Sequence, residues 1–192
     1  MKSSFVIWDS KVVPHACVLK ELVGVEKPYR LRKGLSVAAD FPDDAAFTMN
    51  ADFPNNILLT DNLINTDEMI VASAKLKHFL ERQELSHLEY LPVTILNHKG
   101  KPASRDYFIV HPIDPVDCLD IKKSQPEWSA IDKTLIESVE KLVINEEVVK
   151  NRALFKPKSF YQVILTARRL STAIDKEGFV GTNWIELDQY NS

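Results

Sequence analysis

Along the first seventy positions the apolar residues come in short runs, Phe5 to Trp8, Cys17 to Leu19 and Ile57 to Leu59, separated by turn-forming residues and lacking helical periodicity. Such runs predict extended, loop-rich chain packed against a sheet built from the rest of the sequence. From Ile70 the pattern sharpens. Ile70-Val-Ala-Ser73 is a strand-length run ending on a hydroxyl placed to cap a helix, Leu76 and Leu80 then fall four apart, and a further extended run begins at Leu88. Ile70 to Leu91 also aligns without gaps on Ile164 to Ile185: Ile70 and Val71 meet Ile164 and Leu165, Leu76 meets Leu170, Leu80 meets Ile174, and Tyr90 meets Trp184. Each copy reads strand, helix, strand, with Thr166 as the second capping hydroxyl and Gly178 and Gly181 marking a helix end and a turn. Internal duplication accounts for this match, as does the pattern that any two strand-helix-strand units share.

Between the copies, Leu88 to Leu96 and Tyr107 to Val110 are extended runs joined by Asn97-His98-Lys99-Gly100-Lys101-Pro102, which predicts a hairpin with a basic tip. Ser124-Gln125-Pro126-Glu127 reads as a helix start, and Ile131, Leu135, Val139 and Leu142 continue one face; Val139 to Ile144 reads equally well as a strand. The expected fold is α+β: a mixed, largely antiparallel sheet with two strand-helix-strand units and a loop-rich N-terminal part. Residues 1–69 form that N-terminal part, packed on a main domain of residues 70–192, the two making one globular unit.

Composition narrows the class. With 192 residues, 45% hydrophobic and 27% charged, and with only five Gly and ten Pro, the chain has the makings of a real core and not of a disordered or low-complexity segment. No apolar run approaches the roughly 20 residues of a membrane-spanning helix, and no signal-like segment follows Lys2, so the expected location is cytoplasmic. Cys17 and Cys118 lie far apart without a CxxC, as two reduced thiols would.

The net charge of −3 conceals an uneven distribution. Leu35 to Ala74 holds Asp40, Asp43, Asp44, Asp52, Asp61, Asp67 and Glu68 with no Lys or Arg. Phe41, Phe47, Met49 and Phe53 are interleaved with these acids. Two short repeats, Asp40-Phe41-Pro42 and Asp52-Phe53-Pro54, favour extended backbone, because proline biases the residue before it away from the helix. The segment reads either as a solvated acidic loop or as a partner surface. In the second reading Asp40, Asp43, Asp44 and Asp52 steer a basic protein, and Phe41 and Phe53 anchor it. A core role for Phe41, Phe47 and Phe53 is the competing assignment. This acidity argues against nucleic-acid binding, and the basic residues Lys75, Lys77, Arg82, Arg168 and Arg169 read as solvated helix faces.

The densest chemistry is His111-Pro-Ile-Asp114-Pro-Val-Asp117-Cys118-Leu-Asp120. Its spacing matches neither an EF-hand nor a zinc pattern, and its prolines prevent a helix from aligning ligands, so the carboxylates read as caps on backbone amides. Neither GxxxxGK[ST] nor GxGxxG nor GxSxG occurs, and His15, His78, His87 and His98 have no partner at metal-ligand spacing. No cofactor or metal is expected.

The ordered set Ile70-Val-Ala-Ser73 with Leu76 and Leu80, Glu89-Tyr-Leu-Pro-Val93, Tyr107-Phe-Ile-Val-His-Pro, Val116-Asp-Cys-Leu-Asp120 with Ser124, Leu154-Phe155, Val163-Ile-Leu-Thr166 and Gly178-Phe-Val-Gly181 resembles the immunity protein eleven family. The resemblance runs from about Asn56 to Leu187. One departure is Ala167, at the second copy's position where Ser73 stands in the first. Members of this family accompany bacterial polymorphic toxins. The resemblance implies a protein that binds and neutralises a cognate toxin, catalyses nothing itself and brings no catalytic residues to this chain. The acidic segment then suggests a basic toxin such as a nuclease. The alternative from another class is a small cytoplasmic enzyme using His111, Asp114, Asp117 and Cys118; a regulatory ligand-binding module, which needs a preformed apolar pocket, is the third.

Overall fold

Twelve strands and four helices carry the short apolar runs in the computed structural model, which describes residues 2–190. The strands are β1 (Phe5–Ser10), β2 (Val18–Val23), β3 (Ala46–Met49), β4 (Asn62–Asn65), β5 (Ile70–Ser73), β6 (Leu88–Leu96), β7 (Pro102–Pro112), β8 (Pro126–Trp128), β9 (Ile136–Val139), β10 (Leu154–Phe155), β11 (Leu165–Ala167) and β12 (Thr182–Glu186). The helices are α1 (Tyr29–Arg32), α2 (Ala74–Glu81), α3 (Ile121–Ser124) and α4 (Arg168–Glu177). Six strands close a barrel in the order β2-β3-β6-β7-β5-β4; four more form an antiparallel sheet, β10-β11-β1-β12; β8 and β9 pair as a small ribbon. Two barrel pairings, β2 with β4 and β3 with β6, are parallel, so the α+β class holds with a mixed rather than purely antiparallel arrangement.

Two cores result, and β5 and β7 form the wall between them. Successive side chains of a strand point to opposite faces. Val71, Tyr107 and Ile109 therefore fill the barrel with Leu19, Phe47, Leu63 and Ile95. Ile70, Ala72 and Val110 face the other way, into a second core with Leu76, Phe79 and Leu80 of α2 and with Phe5, Phe155, Leu165 and Leu170. This is why Ile70-Val-Ala is apolar without alternation: both faces of β5 are buried. The first 69 residues supply β1 to the open sheet and β2, β3 and β4 to the barrel.

Local chemistry explains the helix ends. The Ser73 hydroxyl accepts from the Leu76 amide at 3.3 Å, starting α2. Gly178, at φ 72°, ends α4 in the left-handed conformation that glycine adopts freely. Thr166 departs from its expected role: α4 begins one residue later, after Ala167, with no side-chain cap, and the Thr166 hydroxyl is buried without a hydrogen-bond partner among the described residues. Strand β11 carries Thr166 into the core and so turns its side chain away from the helix start.

The helix expected from Ser124 does not form. One turn of helix, α3, ends there, because Gln125 takes φ 47° and reverses the chain into β8. The Ser124 hydroxyl instead donates to the Val143 carbonyl at 3.0 Å and accepts from the Val143 amide at 3.2 Å. Ile131 is 97% exposed while Val139 and Leu142 are buried, so the four-residue spacing never formed one face. For residues 131–144 the ambiguity resolves in part to strand β9, Ile136–Val139.

Barrel and open sheet meet at Gly181. Its φ is 98°, and a Cβ there would lie 2.2 Å from the Asn62 carbonyl oxygen, so only glycine lets the two backbones approach. Asn62 fastens the seam: its amide donates to the Val180 carbonyl at 3.1 Å and its Nδ2 to the Gly181 carbonyl at 3.0 Å. No helix among the described residues is long and apolar enough to cross a membrane.

Candidate functional site

Strand β3 divides the acidic segment in two. Asp40, Phe41, Asp43 and Asp44 precede it and Asp52 and Phe53 follow it. At about 3.3 Å per residue, β3 alone sets the groups roughly 10 Å apart, so the two Asp-Phe-Pro triplets stand at opposite ends of one strand. At the first end, Glu89 of β6 accepts from the amides of Val37 (3.0 Å) and Ala38 (3.2 Å) and from the Ser36 hydroxyl, and thereby holds the helical turn Ala38–Asp40. Asp40 pairs with Arg30 at 3.6 Å. Phe41 is partly buried against the barrel core, and Phe47 and Met49 lie fully inside it. Asp43 and Asp44 are exposed and form no ion pair among the described residues.

At the second end Asp52 is exposed and Phe53 is 46% exposed. Ile57 and Leu58 are exposed beside them. Leu58 is fixed through its backbone, its amide donating to the His15 carbonyl and its carbonyl accepting from the Cys17 amide, both at 2.9 Å. Val12, the most exposed valine, lies on that neighbouring segment. Exposed large apolar side chains gathered beside carboxylates are the composition of a protein-binding surface. Ile57 and Leu58 escape a reading by hydrophobicity, which takes an apolar run for core; the Asn55-Asn56 pair just before them is the only local sign of a surface loop.

Asp61 and Asp67 of the segment are structural. Asp61 accepts from the Ser73 hydroxyl at 2.8 Å and the Val180 amide at 3.0 Å, and Asp67 from the Leu22 amide at 2.7 Å.

The 111–120 cluster is spread apart by its own backbone. His111 is buried in β7 with Nε2 2.9 Å from the Leu35 carbonyl, and burial lowers its pKa. Asp114 pairs with His87 Nδ1 at 2.9 Å, Asp117 is exposed, and Asp120 caps α3 through the Lys123 amide at 3.2 Å. Burial pushes the Cys118 thiol up to about 12, with Asp117 adding to the effect, which is the opposite of an activated nucleophile. Cys17 is likewise buried and raised to about 11. No three His, Cys, Asp or Glu side chains among the described residues converge as a metal site.

One titratable group escaped notice in the sequence. Lys156 follows β10, is 7% exposed, and lines a cleft of about 530 Å³ with Tyr29, Arg32, Glu68 and Ser159. Its signal was a single lysine inside the apolar run Ala153-Leu-Phe-Lys-Pro. Burial pushes its pKa down to about 8, against a smaller upward pull from Glu68.

A comparison with curated proteins returns no match. The model of the immunity protein family (Imm11) matches residues 11–189, a wider span than the resemblance read from Asn56 onward; it takes in the acidic segment, the whole barrel core and the second core apart from β1. The chain belongs to this immunity protein family.

Proposed function

We propose that the protein binds a cognate toxin in the bacterial cytoplasm and neutralises it by occupancy, as part of a polymorphic toxin system used in competition between bacteria. Membership of the immunity family across residues 11–189 is the observation that carries this reading. The docking surface proposed is the acidic face around β3. Its carboxylates act at long range: Asp43, Asp44 and Asp52 are exposed and form no ion pair among the described residues, so their field remains available to a basic toxin surface such as that of a nuclease domain. Its apolar side chains act on contact, with Phe53, Ile57 and Leu58 exposed where a partner would desolvate them. Asp40 and Phe41 belong to the same face as support: one is paired with Arg30 and the other packs on the barrel.

The enzyme alternative finds little here, since Cys118 and His111 are both buried and bonded to or packed against structure. The test is calorimetric titration of the protein with a catalytically inactivated toxin domain encoded beside it. A one-to-one complex with nanomolar affinity is expected, at about −12 kcal/mol; heat indistinguishable from dilution rejects the reading.

A further inference from the structure

The cleft is lined by Lys156, a buried cation near Glu68 but in ion-pair contact with no carboxylate among the described residues. The Lys156 ammonium donates to the carbonyl oxygens of Arg32 at 3.1 Å and Tyr161 at 3.4 Å. Both acceptors are neutral, and Lys156 forms no ion pair among the described residues. An ammonium has three N–H bonds, so one remains without a protein acceptor. A buried charge is tolerated when it is both paired and hydrogen-bonded, and here only the second condition is met. The walls are built with backbone in an uncommon state: Glu68 and Ser159, both lining the cleft, stand at φ 54° and 68°. Such conformations persist where the surroundings impose them, and they gather at binding sites.

The charges around the cleft select the missing group. Arg32 lies 4.0 Å from Asp67, Lys33 pairs with Asp132 at 3.7 Å, and Asp67 is further held by the Leu22 amide. Arg32 and Lys33 are thus each answered by a carboxylate, Asp67 and Asp132, whereas Lys156 and Glu68, which also line the cleft, form no ion pair among the described residues. A phosphate dianion would set two negative charges against the one cation without an ion pair and bring both near Glu68; a single carboxylate brings one. Tyr29 and Ser159 line the same space and bring hydroxyl donors for a second carboxylate oxygen.

We infer that this cleft is a carboxylate-binding site in which Lys156 gives its free N–H to the ligand. The carboxylate is carried either by a small organic acid or by an acidic side chain of a bound protein. The site does not depend on the toxin reading and is tested without the toxin. Burial brings the titration of Lys156 down to about 8, with Glu68, Arg32 and the neighbouring His111 as other titratable groups acting at the same place.

The experiment is proton–carbon NMR of lysine-labelled full-length protein, following the Lys156 Cε resonance against pH with and without acetate, glutarate, or a blocked Gly-Asp-Gly peptide. Saturable shifts at millimolar probe are expected, with the Lys156 midpoint raised by about one unit, equivalent to a tenfold preference of the probe for the protonated amine. Lys156→Met should abolish the remaining probe-induced shifts around the cleft, while the probes leave the Lys176 resonance, on α4, in place in both proteins. Response to acetate or glutarate alone assigns the site to free organic acids, and response to the blocked peptide assigns it to an acidic side chain. A Lys156 midpoint that no probe moves at on the order of 50 mM, or probe shifts that survive in Lys156→Met, overturns the inference.

Discussion

Phe53→Ala separates a docking anchor from a core residue. Phe53 keeps 46% of its side chain in solvent, and a phenylalanine side chain offers about 200 Å² of surface, so about 90 Å² remains for a partner to cover. At about 25 cal/mol per Å² that area contributes about 2 kcal/mol to binding, a roughly 30-fold change in Kd. Phe53 belongs to neither buried cluster, so its loss should barely move the thermal midpoint. Phe41→Ala is the control: Phe41 packs on the barrel core, and its truncation should lower the melting temperature before it affects binding. Both variants are measured by differential scanning calorimetry and by titration with the inactivated toxin domain. A Kd for Phe53→Ala within about twofold of the parent, with the fold intact, refutes the anchor assignment.

Three further outcomes follow from the geometry. Asp43→Lys with Asp44→Lys, both exposed and unpaired, should slow association with a basic toxin about tenfold or more at low salt and much less at high salt; stopped-flow rates at two ionic strengths check this, and equal rates place the interface elsewhere. Gly181→Ala puts a Cβ 2.2 Å from the Asn62 carbonyl at φ 98°, so backbone strain plus loss of two Asn62 hydrogen bonds should cost about 3 kcal/mol in urea denaturation; a cost below about 1 kcal/mol means the seam yields easily. Lys156 titrates at about 8 when folded and near 10.5 in the open chain, so the unfolded state binds more protons between those values. Stability relative to Lys156→Met should therefore rise with pH across that window, by at most about 1.4 kcal/mol per unit, and parallel pH profiles contradict the buried amine.

The legible features were those decided by neighbours in sequence. Ser73 reaches Leu76 three residues on, Gly178 ends α4 through its own φ, and Asn97 to Lys101 close the β6–β7 hairpin within a few residues. The illegible ones depend on distant chain. Ser124 looks like a helix start until Val143 takes its hydroxyl, and Thr166 looks like a cap until β1 draws β11 into the second core. Parallel pairing of β2 with β4 and β3 with β6 leaves no periodic trace, since a four-residue strand carries too few positions to declare its partner. The candidate surface shows the same limit. Phe41, Phe47 and Phe53 are equivalent in sequence, yet β3 puts Phe47 inside the barrel, the turn at Ala38–Asp40 lays Phe41 against it, and the loop beyond leaves Phe53 in solvent.

The most direct test of the immunity role is survival. The proposed cognate toxin is expressed in sensitive cells under one inducible promoter and this protein under another, as the parent and as the combined Asp43→Lys, Asp44→Lys and Phe53→Ala variant. The account predicts full growth with the parent protein, and toxicity returning with a variant that circular dichroism shows to be folded. Cells that die despite abundant, folded parent protein would contradict the account at its centre.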